Sequence, residues 1–193
     1  MRPPCIGGAR ICGYGDPSAD FHLIGDHAGI HGGTDTHVPF TSSPVGRQIQ
    51  GLLFDLGFLA SPYADRPIVT NLYMNYLYMC PVSPSDRPTR PQYLDHDRFF
   101  DAELRAVNAH ILLPVGRRAT DRVLEAYTTQ RRKVPHSMRE RHALEVRGRG
   151  FLVVPVLDPR AWRAGDRRQI RTTLERILAS DYRQTKGVAT LVG

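Results

Sequence analysis

The chain has 193 residues, with 26 Lys and Arg against 19 Asp and Glu for a formal net charge of +7, and 41% of its residues are hydrophobic. That length suits one domain with a proper core, expected to span residues 1–193 with its body at about 10–182. No run of about eighteen apolar residues occurs, which argues against a membrane span, and the N-terminal MRPPCIGG lacks the apolar stretch of a secretory signal, which points to the cytoplasm.

The first apolar run, Phe21-His22-Leu23-Ile24, reads as a buried strand. It passes into Gly25-Asp26-His27-Ala28-Gly29 and then a glycine-rich loop, expected to be poor in helix, that carries His31, Gly32, Gly33, His37 and Phe40. A helix starts near Pro44: Ile49, Leu52, Leu53 and Leu56 stand at i, i+3, i+4 and i+7, one face of a 3.6-residue repeat. Residues 68–79, rich in β-branched and aromatic side chains, read as a long strand. The loop 81–91 holds four prolines. A second helix is expected from about Gln92 to Asn108, with Phe99, Phe100, Leu104 and Val107 inward. Ile111–Val115 is a third strand, turning at Gly116-Arg117 into a helix through about Tyr127. Phe151–Val156 is a fourth strand. Asp166 can cap a last helix, with Ile170, Leu174, Ile177 and Leu178 on its apolar face, and the tail after Tyr182 is expected to fray.

Apolar strands alternating with helices predict an α/β fold: a three-layer α/β/α sandwich around a mostly parallel four-stranded sheet. In such a sheet the loops leaving the carboxyl ends of the strands converge on one edge, where ligands bind. Those loops are Gly25–Phe40, Cys80–Pro91, Gly116-Arg117 and Leu157–Trp162. The first carries a carboxylate (Asp26), three histidines (His27, His31, His37) and an aromatic ring (Phe40), the composition of a site rather than of a connector.

Lys133 and Lys186 are the only lysines, so almost all the positive charge is arginine, whose planar fork grips phosphate with two hydrogen bonds. Residues 131–149 concentrate it: Arg131, Arg132, Lys133, Arg139, Arg141, Arg147 and Arg149 face only Glu140 and Glu145. A phosphate-contacting surface is expected there, the alternative being a solvated basic loop. Cys5, Cys12 and Cys80 are too few for a disulfide framework, and without a CxxC pair they do not by themselves specify a metal site. From the residues alone, buried and unligated thiols are expected.

Residues 13–46, GYGDPSADFHLIGDHAGIHGGTDTHVPFTSSPVG, lie almost without a gap on the pattern GFGDP…GLAPxAHGxNRTGxxFTGxxSG. Cys80 followed by a proline-rich stretch and Pro88-Thr89 is similar to a cysteine-plus-PPxNxxPT segment, and Leu112–Arg117 to an ALGR turn. Val146-Arg147-Gly148 and Val154–Arg160 sit where VRG and HPS motifs belong. In these segments the chain resembles the uracil-DNA glycosylase superfamily, in particular its families 4 and 5, over roughly residues 10–182.

The resemblance implies an enzyme of base excision repair. Such an enzyme turns a damaged base out of DNA and hydrolyses its N-glycosidic bond. Breaking that bond builds positive charge on the sugar and negative charge on the departing base. The site therefore needs a carboxylate or oriented water on one side and donors or cations on the other. Asp26 takes the place of a glutamate that positions water, the competing reading being an Asp that caps the loop. His31 matches the histidine of AHG, Phe40 a ring that stacks on uracil, and Gly25 and His27 flank the base slot. Asn75 lies near a uracil-reading asparagine, although an ungapped alignment back from Cys80 puts Tyr76 in that slot. Arg117, Arg131, Arg132 and Arg147 are the DNA-binding candidates.

The chain also departs from the pattern. FTGD is Phe40-Thr41-Ser42-Ser43 here, the asparagine of HGxNRT is Thr34 or Asp35, and Asp158 and Arg160 replace the histidine and serine of HPS. Asp158 and Arg160 join Asp26 and His31 as catalytic candidates, with Arg160 a candidate source of the missing positive charge. No cofactor is required for the chemistry. Families 4 and 5 nevertheless hold a [4Fe-4S] cluster on four cysteines, and Cys5, Cys12, Cys80 and His96 are the residues that could hold a cluster or zinc here. The implied partner is DNA containing deaminated bases, met by a monomer with no membrane association. Two rival readings stand beside this one. A catalytically degenerate relative would keep DNA binding alone. An unrelated Rossmann-like nucleotide enzyme is disfavoured because no GxGxxG opens a helix after the first strand and no Walker sequence occurs.

Overall fold

The computed structural model describes residues 3–5, 8–148 and 150–183, so the tail expected to fray lies almost wholly outside the described residues. Its strands are β1 (Tyr14–Gly15), β2 (Phe21–His27), β3 (Leu72–Tyr78), β4 (Ile111–Pro114), β5 (Val146–Arg147) and β6 (Leu152–Val153). They form one sheet in the order β1-β3-β2-β4-β6-β5. β3, β2, β4 and β6 are mutually parallel and correspond to the four expected strands. The sheet adds two antiparallel edge strands, β1 on β3 and β5 on β6, each two residues long and too short to show a hydrophobic period.

The helices are α1 (Ala28–His31), α2 (Pro44–Asp55), α3 (Arg90–Val107), α4 (Gly116–Tyr127), α5 (Met138–Arg141) and α6 (Asp166–Leu178), with a 3-10 turn at Pro159–Ala161. Ser43 accepts a hydrogen bond from the Gly46 amide at 2.9 Å and Pro44 opens α2, an efficient N-terminus. A capping box between Thr89 and Gln92 starts α3.

Three local expectations change. The glycine-rich loop contains one helical turn, α1. The long strand 68–79 begins at Leu72, because Asn71 takes a left-handed φ of 54° while its side chain accepts from the Asp20 amide, and Val69 pairs instead with Leu59. Gly165, not Asp166, occupies the N-cap of α6.

Alternation along the strands sends side chains to two cores. Phe21, Leu23, Met74, Tyr76, Ile111 and Leu113 pack against α2 and α6 through Ile49, Leu53, Ile170 and Leu174. Ile24, Leu77, Leu112 and Val153 pack against α3 and α4 through Phe99, Phe100, Val123 and Leu124. Each such side chain contributes roughly 1.5–3 kcal/mol on full burial. The result is the expected α/β/α layering. The carboxyl ends of β2 and β4 and the loop after β6 meet at one edge. Among the described residues no helix is long and apolar enough to cross a membrane.

Candidate active site

β2 carries Asp26 to that edge, where its carboxylate is largely but not fully covered. Tyr93 of α3 donates its hydroxyl to Asp26 Oδ1. The Arg118 guanidinium of α4 lies 3.6 Å from Oδ2 and 4.3 Å above the Tyr93 ring. Burial pushes the Asp26 carboxyl above its ordinary value, while the Tyr93 hydrogen bond and the charge of Arg118 pull against that rise. The same burial, reinforced by Asp26, raises the Tyr93 hydroxyl, so Tyr93 is a fixed donor.

One turn later, α1 folds His31 back on the strand it left. Its Nδ1 accepts the Asp26 amide at 3.0 Å, which places the ring proton on Nε2, 3.5 Å from Asp158 Oδ2. This folding back requires Gly25. A Cβ there would lie 2.5 Å from Tyr76 Cε1 and 2.7 Å from His31 Nδ1. The loop after β6 delivers Asp158, held by two hydrogen bonds to Leu157: its amide donates to His142 Nδ1 and its carbonyl accepts from Trp162 Nε1. Arg160 forks onto Asp158 at 3.0 and 2.6 Å. Burial disfavours the Asp158 anion, but the contacts with His31 and Arg160 outweigh it and hold the carboxyl well below the usual range.

Asp26, His31, Asp158 and Arg160 line a single cavity of about 570 Å³, with Tyr93 and Arg118 beside them. That volume is of the size that takes a small organic ligand. Arg117 also lines it, while its Nη1 donates to the His136 carbonyl at 3.2 Å. Tyr93 and Arg118 had no mark in the sequence beyond their places on helix faces that flank the expected edge.

The four residues expected around the base, Gly25, His27, Phe40 and Asn75, are not among those that line this cavity. Gly25 serves the packing of His31 and Tyr76. His27 is buried, and burial with nearby arginine charge pushes its pKa down to about 3, so its ring is neutral. Phe40 is fully buried: His31 stacks on it at 5.5 Å and Tyr76 meets it edge-on at 5.2 Å. Neither its ring nor its backbone borders the cavity. Asn75 is buried on the face of the sheet that α3 covers, away from Phe40, where its Nδ2 donates to Glu103 of α3 at 2.9 Å. Tyr76, its neighbour, uses its hydroxyl to accept from the Phe40 amide and donate to the Gly32 carbonyl, clamping the loop shut.

Of the basic segment, Arg131 is exposed and pairs with Glu125, which borders the cavity, while Arg132 and Arg147 are exposed. Arg139 and Arg141 hold the fold together instead: Arg139 binds Asp166 and the Ala161 carbonyl, and buried Arg141 binds Asp121.

The cysteines correct two expectations. Cys5 and Cys80 form a disulfide across 75 residues rather than remaining free thiols, and Cys12 is free and exposed. His96 lies beside the pair, with Nε2 3.2 Å from Cys80 Sγ. Three of the four proposed ligands therefore meet, and Cys12 is outside the group. With three cysteines in the chain, one outside the group and two joined to each other, a [4Fe-4S] cluster on four ligands does not fit.

No curated protein matches the chain at a significant level. The model for the uracil DNA glycosylase superfamily matches residues 12–179, and the chain belongs to that superfamily.

Proposed function

We propose that this protein hydrolyses the N-glycosidic bond of a deaminated base in DNA, as a single-domain monomer. Membership of the superfamily supports a glycosylase-like function on DNA. The observation that favours retained chemistry is Asp26: a carboxylate at a strand end, facing a cavity, aligned by Tyr93 and flanked by Arg118.

In the proposed reaction Asp26, ionised, orients a water toward C1′ and stabilises positive charge developing on the sugar. The water oxygen bonds to C1′ as the C1′–N bond breaks. The bond electrons leave with the base, and the water proton passes to Asp26 or solvent. The base departs as an anion, so cationic groups near it lower the barrier. Asp158 alone would oppose that anion, but the forked contact with Arg160 offsets its charge locally. Arg117 and Arg118 also line the cavity and supply positive charge near the leaving group.

A second reading rests on Phe40. With its ring sealed between His31 and Tyr76, it offers no face for a base to stack on. A relative that binds DNA without excising a base fits that arrangement.

Oligonucleotides containing uracil, hypoxanthine or xanthine, followed by alkaline cleavage of abasic sites, separate the two. Scission that disappears in Asp26→Ala supports the enzyme. Salt-sensitive DNA binding without scission on any of the three supports the binding protein.

A further inference from the structure

We propose that Cys5, Cys80 and His96 form a binding site for one thiophilic metal ion, with Zn²⁺ as the probe, which becomes available when the Cys5–Cys80 disulfide is reduced. The inference is independent of the glycosylase reading.

The first observation is convergence. The two sulfurs and a ring nitrogen of His96 all lie within 4.8 Å of one another. Tetrahedral zinc with Zn–S near 2.3 Å and Zn–N near 2.0 Å sets its donors about 3.5–4 Å apart. The Cys80 Sγ to His96 Nε2 distance of 3.2 Å is within a small adjustment of that spacing.

The second observation is the state of the imidazole. His96 Nδ1 lies 2.8 Å from the Gln92 carbonyl, which can only accept, so Nδ1 carries the proton. Nε2 then presents its lone pair to Cys80 Sγ. A disulfide sulfur has no proton to give it. An imidazole that donates one nitrogen to a backbone carbonyl and aims the other lone pair at a pair of sulfurs is oriented as metal-binding histidines are. The capping box at the start of α3 fixes Gln92, and Tyr78 packs on the imidazole at 4.4 Å.

Third, the donors come from a firm frame. Cys80 lies two residues past the end of β3, His96 is on α3, and Cys5 is joined to Cys80 by the disulfide itself. Two thiolates and an imidazole select zinc or copper(I) over magnesium or calcium. With three protein ligands the fourth position is left for water or an added ligand. Such a site differs from the four-cysteine cluster of the relatives in donor number, donor type and ion.

The chemistry balances with a dithiol reductant. The disulfide gains two electrons and two protons to become two thiols while the dithiol becomes a disulfide. Zn²⁺ then displaces the two thiol protons, which are released to solvent, and takes the Nε2 lone pair. In both states the segment bearing Cys5 stays fastened to the end of β3, by a sulfur–sulfur bond or through the ion.

The full chain tests this. Protein reduced with excess dithiol, freed of reductant and kept from air, is titrated with Zn²⁺ against a chromophoric chelator, beside the air-oxidised protein. The expected result is about one tight equivalent in the reduced protein and none in the oxidised protein. Cys5→Ser, at a partly exposed position, and His96→Ala should each weaken binding by more than about tenfold. Cys12→Ser should leave it unchanged. Cobalt(II) in place of zinc should give a thiolate charge-transfer band that is diminished in Cys5→Ser, and circular dichroism checks that each variant is folded. Equal zinc binding by oxidised and reduced protein, full affinity in folded His96→Ala, or a loss in Cys12→Ser as large as in Cys5→Ser would each overturn the proposal.

Discussion

The two ends of the segment 25–43 meet opposite fates. At its start, Asp26 faces a cavity and its partners are polar groups from two helices, Tyr93 and Arg118. Near its end, Phe40 turns inward. Its φ is 59°, its amide is bound by the Tyr76 hydroxyl, its carbonyl accepts from Gln50 Nε2 at 2.9 Å, and His31 covers its ring. The segment's likeness to a family pattern concerns the order of its residues along the path of the backbone. Whether a side chain on that path reaches solvent is decided by residues far away in sequence.

Substitutions at the two ends put this contrast at risk. The open end should respond most strongly. Asp26→Ala should slow single-turnover base release by about 10²–10⁴-fold with the fold retained; an unaltered rate would remove Asp26 from the chemistry. At the closed end, Phe40→Ala should cost about 3–5 kcal/mol in chemical denaturation. A change below about 1 kcal/mol, coupled with abolished base binding, would move the ring to the ligand side and erase the contrast.

A subtler effect concerns Tyr93. Its hydrogen bond favours ionised Asp26, against burial, which favours the neutral acid. Tyr93→Phe should therefore raise the Asp26 pKa further, and the acid limb of the rate–pH profile should move to higher pH. A limb that stays in place would show that another group titrates there. The exposed arginines should respond least. Replacing Arg131, Arg132 and Arg147 together with Gln should flatten the salt dependence of DNA binding by about 0.9 in slope for each phosphate no longer neutralised. An identical slope would turn that face away from DNA.

Much of the architecture was legible. Strand runs of apolar residues, separated by helices with clear 3.6-residue faces, fix a parallel sheet and hence the edge on which Asp26 and Asp158 both fall. What was not legible is contact at a distance. Asn75 and Tyr76 are neighbours on β3, and one residue of strand parity decides which meets the loop and which meets Glu103. The Tyr93 hydroxyl carries no periodic signature, because its ring counts equally as core. The Cys5–Cys80 bond depends on how the N-terminal segment runs beside Met79, a pairing across 75 residues that cysteine spacing alone does not encode.

The sheet ends on either side in a strand of only two residues, Tyr14–Gly15 and Val146–Arg147. Such short margins leave almost no free ladder for a foreign strand to extend, and the exposed charge of Arg147 on one of them discourages apolar adhesion. An apolar strand of a second copy therefore finds little backbone to pair with at either margin.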